Sequence, residues 1–291
     1  MAHDASSDGA RPTSAPPHGP ARRGGMAGGV IQKMDKGAVA HVVAVGSGKG
    51  GVGKSSATSL LASELRRRGL AVGILDADIT GPSIPKLYGV AGPLSDRGEG
   101  IEPATTPSGI SIVSSQFLVE DEQTPVIWRG PLVTRLIMQF FQGVHWGKLD
   151  YLLIDMPPGT SDVPLTVFQT IPIDGMVFVL TPQDLAALIV KKAMNMARDL
   201  HVPLLGVVEN MGHLDCPHCH QRIELFGESR VDGVAREYGI PLLGRLPLDP
   251  ALSIACDAGA LDGYRNPAVS GFADALLNAV AEQDRHRTEV L

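Results

Sequence analysis

Residues Gly48-Lys49-Gly50-Gly51-Val52-Gly53-Lys54-Ser55 spell G-x-x-x-x-G-K-S directly after the apolar run Val42-Val43-Ala44-Val45. No other pattern in the chain constrains the fold as tightly. The glycines let successive backbone N–H groups converge on phosphate oxygens, and a helix leaving the loop points its positive end at the same place. Lys54 supplies a cation for the phosphates, and Ser55 supplies an oxygen for Mg²⁺. A strand must enter such a loop and a helix must leave it, so the chain has to build an α/β unit around residue 50.

The rest of the sequence continues that alternation. Short β-branched runs at 41–45, 71–75, 110–114, 151–154, 175–180, 204–208 and 241–243 are the candidate strands. Between them Leu132, Leu136, Ile137, Phe140 and Phe141 follow helical spacing, as do Leu185, Leu188, Ile189 and Met196, and both stripes are read as core. Near the end, Phe272, Leu276, Leu277 and Val280 line one face of a helix over 269–283. The expected fold class is α/β, a mostly parallel sheet flanked by helices. Residues 38–285 contain no repeat and no linker, so they form one domain, with a short tail at 286–291. Of the first 30 residues, 19 are Ala, Gly, Pro or Ser, which predicts a disordered tail over 1–37.

Charge and composition exclude several classes. A formal net charge of -6 gives no broad attraction for nucleic acid or anionic lipid, so neither is expected as a partner. The apolar runs are of strand length, well short of the roughly 20 residues of a membrane span. Three cysteines, Cys216, Cys219 and Cys256, in a chain with no secretory h-region suit a reducing cytoplasm.

Leu75-Asp76-Ala77-Asp78 closes the second strand, and Tyr151-Leu152-Leu153-Ile154-Asp155 is an apolar strand ending in an acid. Carboxylates there lie at the carboxyl edge of a parallel sheet, where α/β proteins hold ligands. Asp155 fits an acid serving Mg²⁺. Asp76 and Asp78 should face the phosphates, although either residue type could equally cap a helix. Met156-Pro157-Pro158-Gly159-Thr160 follows as a candidate switch segment, and Glu209-Asn210 ends a later strand.

Cys216-Pro217-His218-Cys219-His220 admits four chemistries. Cys-x-x-Cys-His is the c-type haem attachment pattern, but that needs export. A redox dithiol wants a helix starting at the first cysteine, whereas 221–226 alternates like a strand and favours a hairpin over about 211–227. Zinc could take Cys216 and Cys219 with two of His213, His218 and His220. An iron–sulfur cluster would take the two thiolates and need two more, because a [4Fe–4S] cluster has four. Cys256, in Leu252-Ser253-Ile254-Ala255-Cys256, suits a small buried apolar residue on a helix.

The loop with its second lysine resembles the deviant Walker A motif of SIMIBI-type P-loop NTPases, the class of septum-site and partition ATPases and the nitrogenase iron protein. In that class this lysine reaches the partner's nucleotide, a role the resemblance gives to Lys49. It also implies that Asp78 positions the attacking water, that Asp76 acts through the magnesium shell, and that Asn210 contacts adenine. Gly48, Lys49, Gly50, Gly51, Val52, Gly53, Lys54, Ser55, Asp76, Asp155 and Asn210 would then hold ATP and Mg²⁺, with Lys49, Lys54 and Asp78 catalytic.

Ser47-Gly48-Lys49-Gly50-Gly51, Asp76-Ala77-Asp78-Ile79-Thr80-Gly81-Pro82-Ser83 and Asp155-Met156-Pro157-Pro158-Gly159-Thr160, with the later Cys pair, are similar to the Mrp-type iron–sulfur cluster carriers over about 40–265. That resemblance implies an ATPase that binds a [4Fe–4S] cluster on Cys216 and Cys219, bridged across a homodimer, and passes it to apoproteins. The competing reading is a MinD- or ParA-like positioning ATPase with a structural zinc site.

Overall fold

The computed structural model describes residues 33–79, 81–96, 100–118, 130–160 and 162–290. Its first half runs β1 Val39–Ser47, α1 Lys54–Arg67, β2 Val72–Asp76, α2 Ile84–Tyr88, β3 Ser95–Asp96, β4 Ile101–Glu102, β5 Ala104–Thr105, β6 Ser111–Ser114 and α3 Gly130–Gln142. The second half runs β7 Leu149–Asp155, α4 Asp162–Thr170, β8 Gly175–Leu180, α5 Asp184–Asp199, β9 Leu204–Asn210, β10 Leu214–Asp215, β11 Arg222–Ile223, α6 Val231–Tyr238, β12 Leu242–Leu246, α7 Pro250–Asp257 and α8 Pro267–Val290.

Eight strands make one sheet in the order β12-β9-β8-β1-β7-β2-β6-β5. Its pairings are parallel except for β5 against β6. Strands covered on both faces read as unbroken apolar runs, and β8, Gly-Met-Val-Phe-Val-Leu, is buried throughout. Side chains alternate between two layers. Val42 and Ala44 pack with α3, α4, α5 and α6, while Val43 and Val45 pack with α1, α2 and α8. Successive strands lie to one side of β1 and then to the other, so the crevice at its carboxyl end is the topological switch point where such sheets bind ligands.

Three expectations need adjusting. Leu132 is 48% exposed, because the buried stripe of α3 runs through its neighbour Val133 with Ile137, Phe140 and Phe141, leaving Leu132 at the stripe's edge. The residues expected as a closing tail continue α8 to Val290, and Arg287 Nη1 donates to Asp174 Oδ1 at 2.6 Å. At the other end the expected tail lies outside the described residues up to 32. Beyond that point the chain is already tied down: Met34 N donates to Thr170 O and Lys36 Nζ pairs with Asp174. The side chains of Leu185 and Leu188 lie outside the described set. Among the described residues no helix is long and apolar enough to cross a membrane.

Candidate nucleotide site and cysteine hairpin

The loop between β1 and α1 lines a pocket of about 260 Å³ with Ser47, Lys49, Lys54, Ser55, Asp78 and Pro158 among its walls. Gly53 precedes the first turn of α1 with φ 79, a left-handed conformation that suits glycine. A Cβ there would stand 2.1 Å from Asn210 Nδ2, and one on Gly48 would stand 2.5 Å from the backbone N of Val190. At these two positions glycine is therefore a matter of space as well as of backbone freedom.

Parallel register brings the acids together. Asp76 pairs with Asp155 across β2 and β7, and Asp155 with Val45 across β7 and β1. Asp155 Oδ2 accepts from Lys54 Nζ at 2.7 Å and from Ser55 Oγ at 2.5 Å, and Thr58 Oγ1 lies 3.0 Å from Oδ1. Asp76 accepts from Ser114 Oγ at 3.0 Å and from the Asp78 backbone N at 3.2 Å. Burial first, and then the Asp155 charge, push the Asp76 carboxyl up to about 7, against the pull of Lys54. Asp78 lines the pocket, with its Oδ2 3.8 Å from Lys54 Nζ. Ser55 and these acids offer the hard oxygen donors that Mg²⁺ selects, and Lys54 is placed between them and the phosphate cradle.

Two residues of this cluster escape sequence reading. Thr58 and Ser114 are both fully buried, and each holds one of the acids. The available signal is a hydroxyl on an otherwise buried surface: Thr58 falls one helical turn after Lys54, and Ser114 ends a buried strand.

The remaining expected residues occupy distinct positions. Lys49 reaches across the mouth of the loop, and its Nζ donates to Gln183 Oε1 at 3.2 Å. Asn210, at the end of β9, is buried and donates from Nδ2 to the Val52 carbonyl at 2.9 Å. In this state it braces the phosphate loop from behind.

Six residues after Asn210 comes the cysteine pair. β10 and β11 form an antiparallel hairpin with Leu214 opposite Ile223 and Asp215 opposite Arg222. Cys216 N donates to Gln221 O at 3.0 Å and His220 N to Cys216 O at 2.8 Å, which closes the turn. The Cys216 thiol is held below its ordinary range by the backbone N–H of Cys219, then that of His218, then the Cys219 thiol. Cys219 is exposed, and Ile223, Leu225 and Phe226 present apolar surface beside the pair.

The histidines do not complete a site. His213 is buried, with Nε2 3.7 Å from Asp215 Oδ2. Among the described residues no three His, Cys, Asp or Glu side chains gather for a metal ion. Cys256 lies apart on α7, partly buried against the layer that holds α1 and α8. Burial first, and then Asp257, raise its thiol.

A parallel sheet with its phosphate loop at the switch point, a magnesium-type acid on the adjacent strand and a second acid in register beside it define a P-loop NTPase. Comparison with known proteins sharpens this. The chain belongs to the family described as ParA, NUBPL iron-transfer P-loop NTPase, whose model matches residues 38–281. An iron-sulfur cluster carrier protein of Clostridium perfringens is 44% identical over 259 residues, covering 85% of this chain and 91% of that one. Its namesake in Methanocaldococcus jannaschii is 48% identical over 232 residues, 79% of each chain. The cytosolic Fe-S cluster assembly factor CFD1 of Eremothecium gossypii is 46% identical over 223 residues, 73% of this chain and 79% of that one. Among solved structures, a nucleotide-binding protein of Archaeoglobus fulgidus in complex with ADP superposes with TM-score 0.71 at 44% identity, covering 78% of this chain and 90% of that one. A MinC:MinD complex of Aquifex aeolicus matches at TM-score 0.61 and 17% identity, a likeness of fold alone.

Proposed function

We propose that this chain binds and hydrolyses ATP with Mg²⁺ and carries a [4Fe–4S] cluster, held by Cys216 and Cys219 together with the same pair of a second copy, for delivery to apoproteins in the cytoplasm. The observation that carries this reading is the hairpin. It offers two cysteine thiols near the surface, beside exposed apolar side chains, on the same edge of the sheet as the nucleotide pocket, and among the described residues no third ligand gathers near them. A cluster normally takes four thiolates, and a second identical hairpin supplies the other two.

Roles at the nucleotide are those the family resemblance implies for these residues. Lys54 and the loop N–H groups face the phosphates, Ser55 and Asp155 supply Mg²⁺ oxygens, Asp78 orients the attacking water, and Asp76 acts behind them through the metal's shell. Lys49, free to exchange Gln183 for a phosphate, serves the partner's nucleotide, and Asn210 contacts the base. Names among the relatives favour cluster carriage over a positioning role. Anaerobic reconstitution with iron and sulfide, followed by iron and zinc analysis of wild type, Cys216→Ala and Cys256→Ala, tests the reading. Iron and brown absorption in wild type and Cys256→Ala only would support it, whereas stoichiometric zinc that persists in place of iron would refute it.

A further inference from the structure

β9 connects the two sites through very little chain. Its last residue, Asn210, donates to Val52 O inside the phosphate loop, and Cys216 follows after only five residues. A Cβ on Gly53 would clash with Asn210 Nδ2 at 2.1 Å and would meet Met211 Cε at an ordinary contact distance of 3.5 Å. A shift of the loop is therefore felt first at Asn210, through its bond to Val52 O.

The five intervening residues are tied at nearly every step. Met211 has φ 58, a left-handed conformation that a non-glycine side chain adopts only under constraint from its surroundings. Gly212 N donates to Leu246 O at 3.1 Å, and His213 O accepts from Leu248 N at 2.7 Å. Glu209, beneath Gly212, is itself fixed by Arg245 Nε at 2.7 Å. Leu214 and Asp215 then pair with β11. A slack loop would absorb a displacement at Asn210, whereas this link has little slack, its middle being hydrogen-bonded to Leu246 and Leu248.

We infer that the Asn210–Asp215 link is the element through which nucleotide occupancy of the phosphate loop sets the conformation of the Cys216–Cys219 turn, with Met211 as its stiff joint. The inference rests on the cysteine hairpin being the cluster site proposed above. It makes Asn210 a brace as well as a candidate base contact, and it gives Met211 a positioning role.

The test uses metal-free full-length protein and reads amide hydrogen exchange at Cys216 and His220, the two amides whose hydrogen bonds close the turn. Saturating AMP-PNP with Mg²⁺ should slow both by about fivefold or more, the low end of ordinary coupling between sites. In Met211→Gly, which releases the backbone constraint and removes the side chain from Gly53, the nucleotide effect should shrink to less than about twofold on that same scale. No effect in wild type, or a full effect in Met211→Gly, would overturn the inference. The second outcome would also mean that dimer formation alone protects the hairpin. Iron loading of Met211→Gly is measured separately: if neither protein takes up iron, the cluster assignment fails, whatever the exchange shows.

Discussion

Asp76 and Asp155 sit directly opposite each other in the register of β2 and β7, both fully buried, and they are held differently. Asp155 has the Lys54 ammonium at 2.7 Å, whereas Asp76 has the hydroxyl of Ser114 at 3.0 Å. One acid faces a cation, and the carboxyl of the other is pushed up to about 7 by burial and then by the Asp155 charge.

That difference predicts a pH dependence in nucleotide-free protein. The folded chain keeps a proton on Asp76 up to about 7, while the unfolded chain releases it near 3.8. The native state binds more protons between these values, so this group's contribution to stability falls as pH rises from about 4 to about 7. Urea midpoints measured across that window should show a downward component that Asp76→Asn abolishes. Identical slopes in the two proteins would show that Asp76 titrates normally.

Lys54 has two jobs in this geometry, which separates its effects. Lys54→Ala leaves the Asp155 carboxylate buried without its cation, a change that costs about 3–5 kcal/mol, and it also removes phosphate contacts. The variant should unfold at lower urea and lose MgATP affinity, yet still accept a cluster below its unfolding transition, because the cysteine hairpin shares no ligand with the loop. A folded Lys54→Ala that took up no iron would show that cluster uptake itself needs the Lys54 ammonium.

Thr58→Val keeps the volume and removes a hydroxyl 3.0 Å from Asp155. Loss of a hydrogen bond to a buried charge predicts destabilisation by about 1–3 kcal/mol and a higher Mg²⁺ requirement for hydrolysis, with nucleotide affinity in the absence of metal little changed. An unaltered Mg²⁺ dependence would remove Thr58 from the site.

Lys49 offers a test in trans. Lys49→Ala should abolish hydrolysis while sparing much of the nucleotide binding. Mixing it with Asp78→Asn, itself inactive, should restore activity, because a mixed dimer pairs one intact site with one intact lysine. Full hydrolysis by Lys49→Ala alone would end this assignment.

What could be read from the sequence divides along physical lines. The phosphate loop was legible because each of its residues has a local cause, glycine for space and backbone angle, lysine and serine for charge and metal. The buried strands were legible because sheets covered on both faces require continuous apolar runs. The braces were not legible. Thr58 and Asp155 are 97 residues apart, Ser114 and Asp76 are 38 apart, and only the sheet register brings them together. Leu132 stands one turn before Leu136 and still faces outward, because the buried stripe runs through Val133 and periodicity does not say where the edge of a stripe falls. The hairpin was visible as alternation at 221–226, but its paired segments are two residues each, held by the closing turn as much as by strand propensity.

Cluster sharing between two copies is the claim on which the functional reading depends most, and one anaerobic sample decides it. Mass and metal content should be measured together on reconstituted protein, alongside Cys216→Ala, Cys219→Ala and Cys256→Ala. Ligand counting predicts a dimer with about four irons per two chains, loss of iron and of the dimer's brown absorption in either hairpin variant, and no change in Cys256→Ala. A monomer that holds a full cluster, or loss of the cluster with Cys256→Ala, would contradict a bridge built from two Cys216–Cys219 pairs.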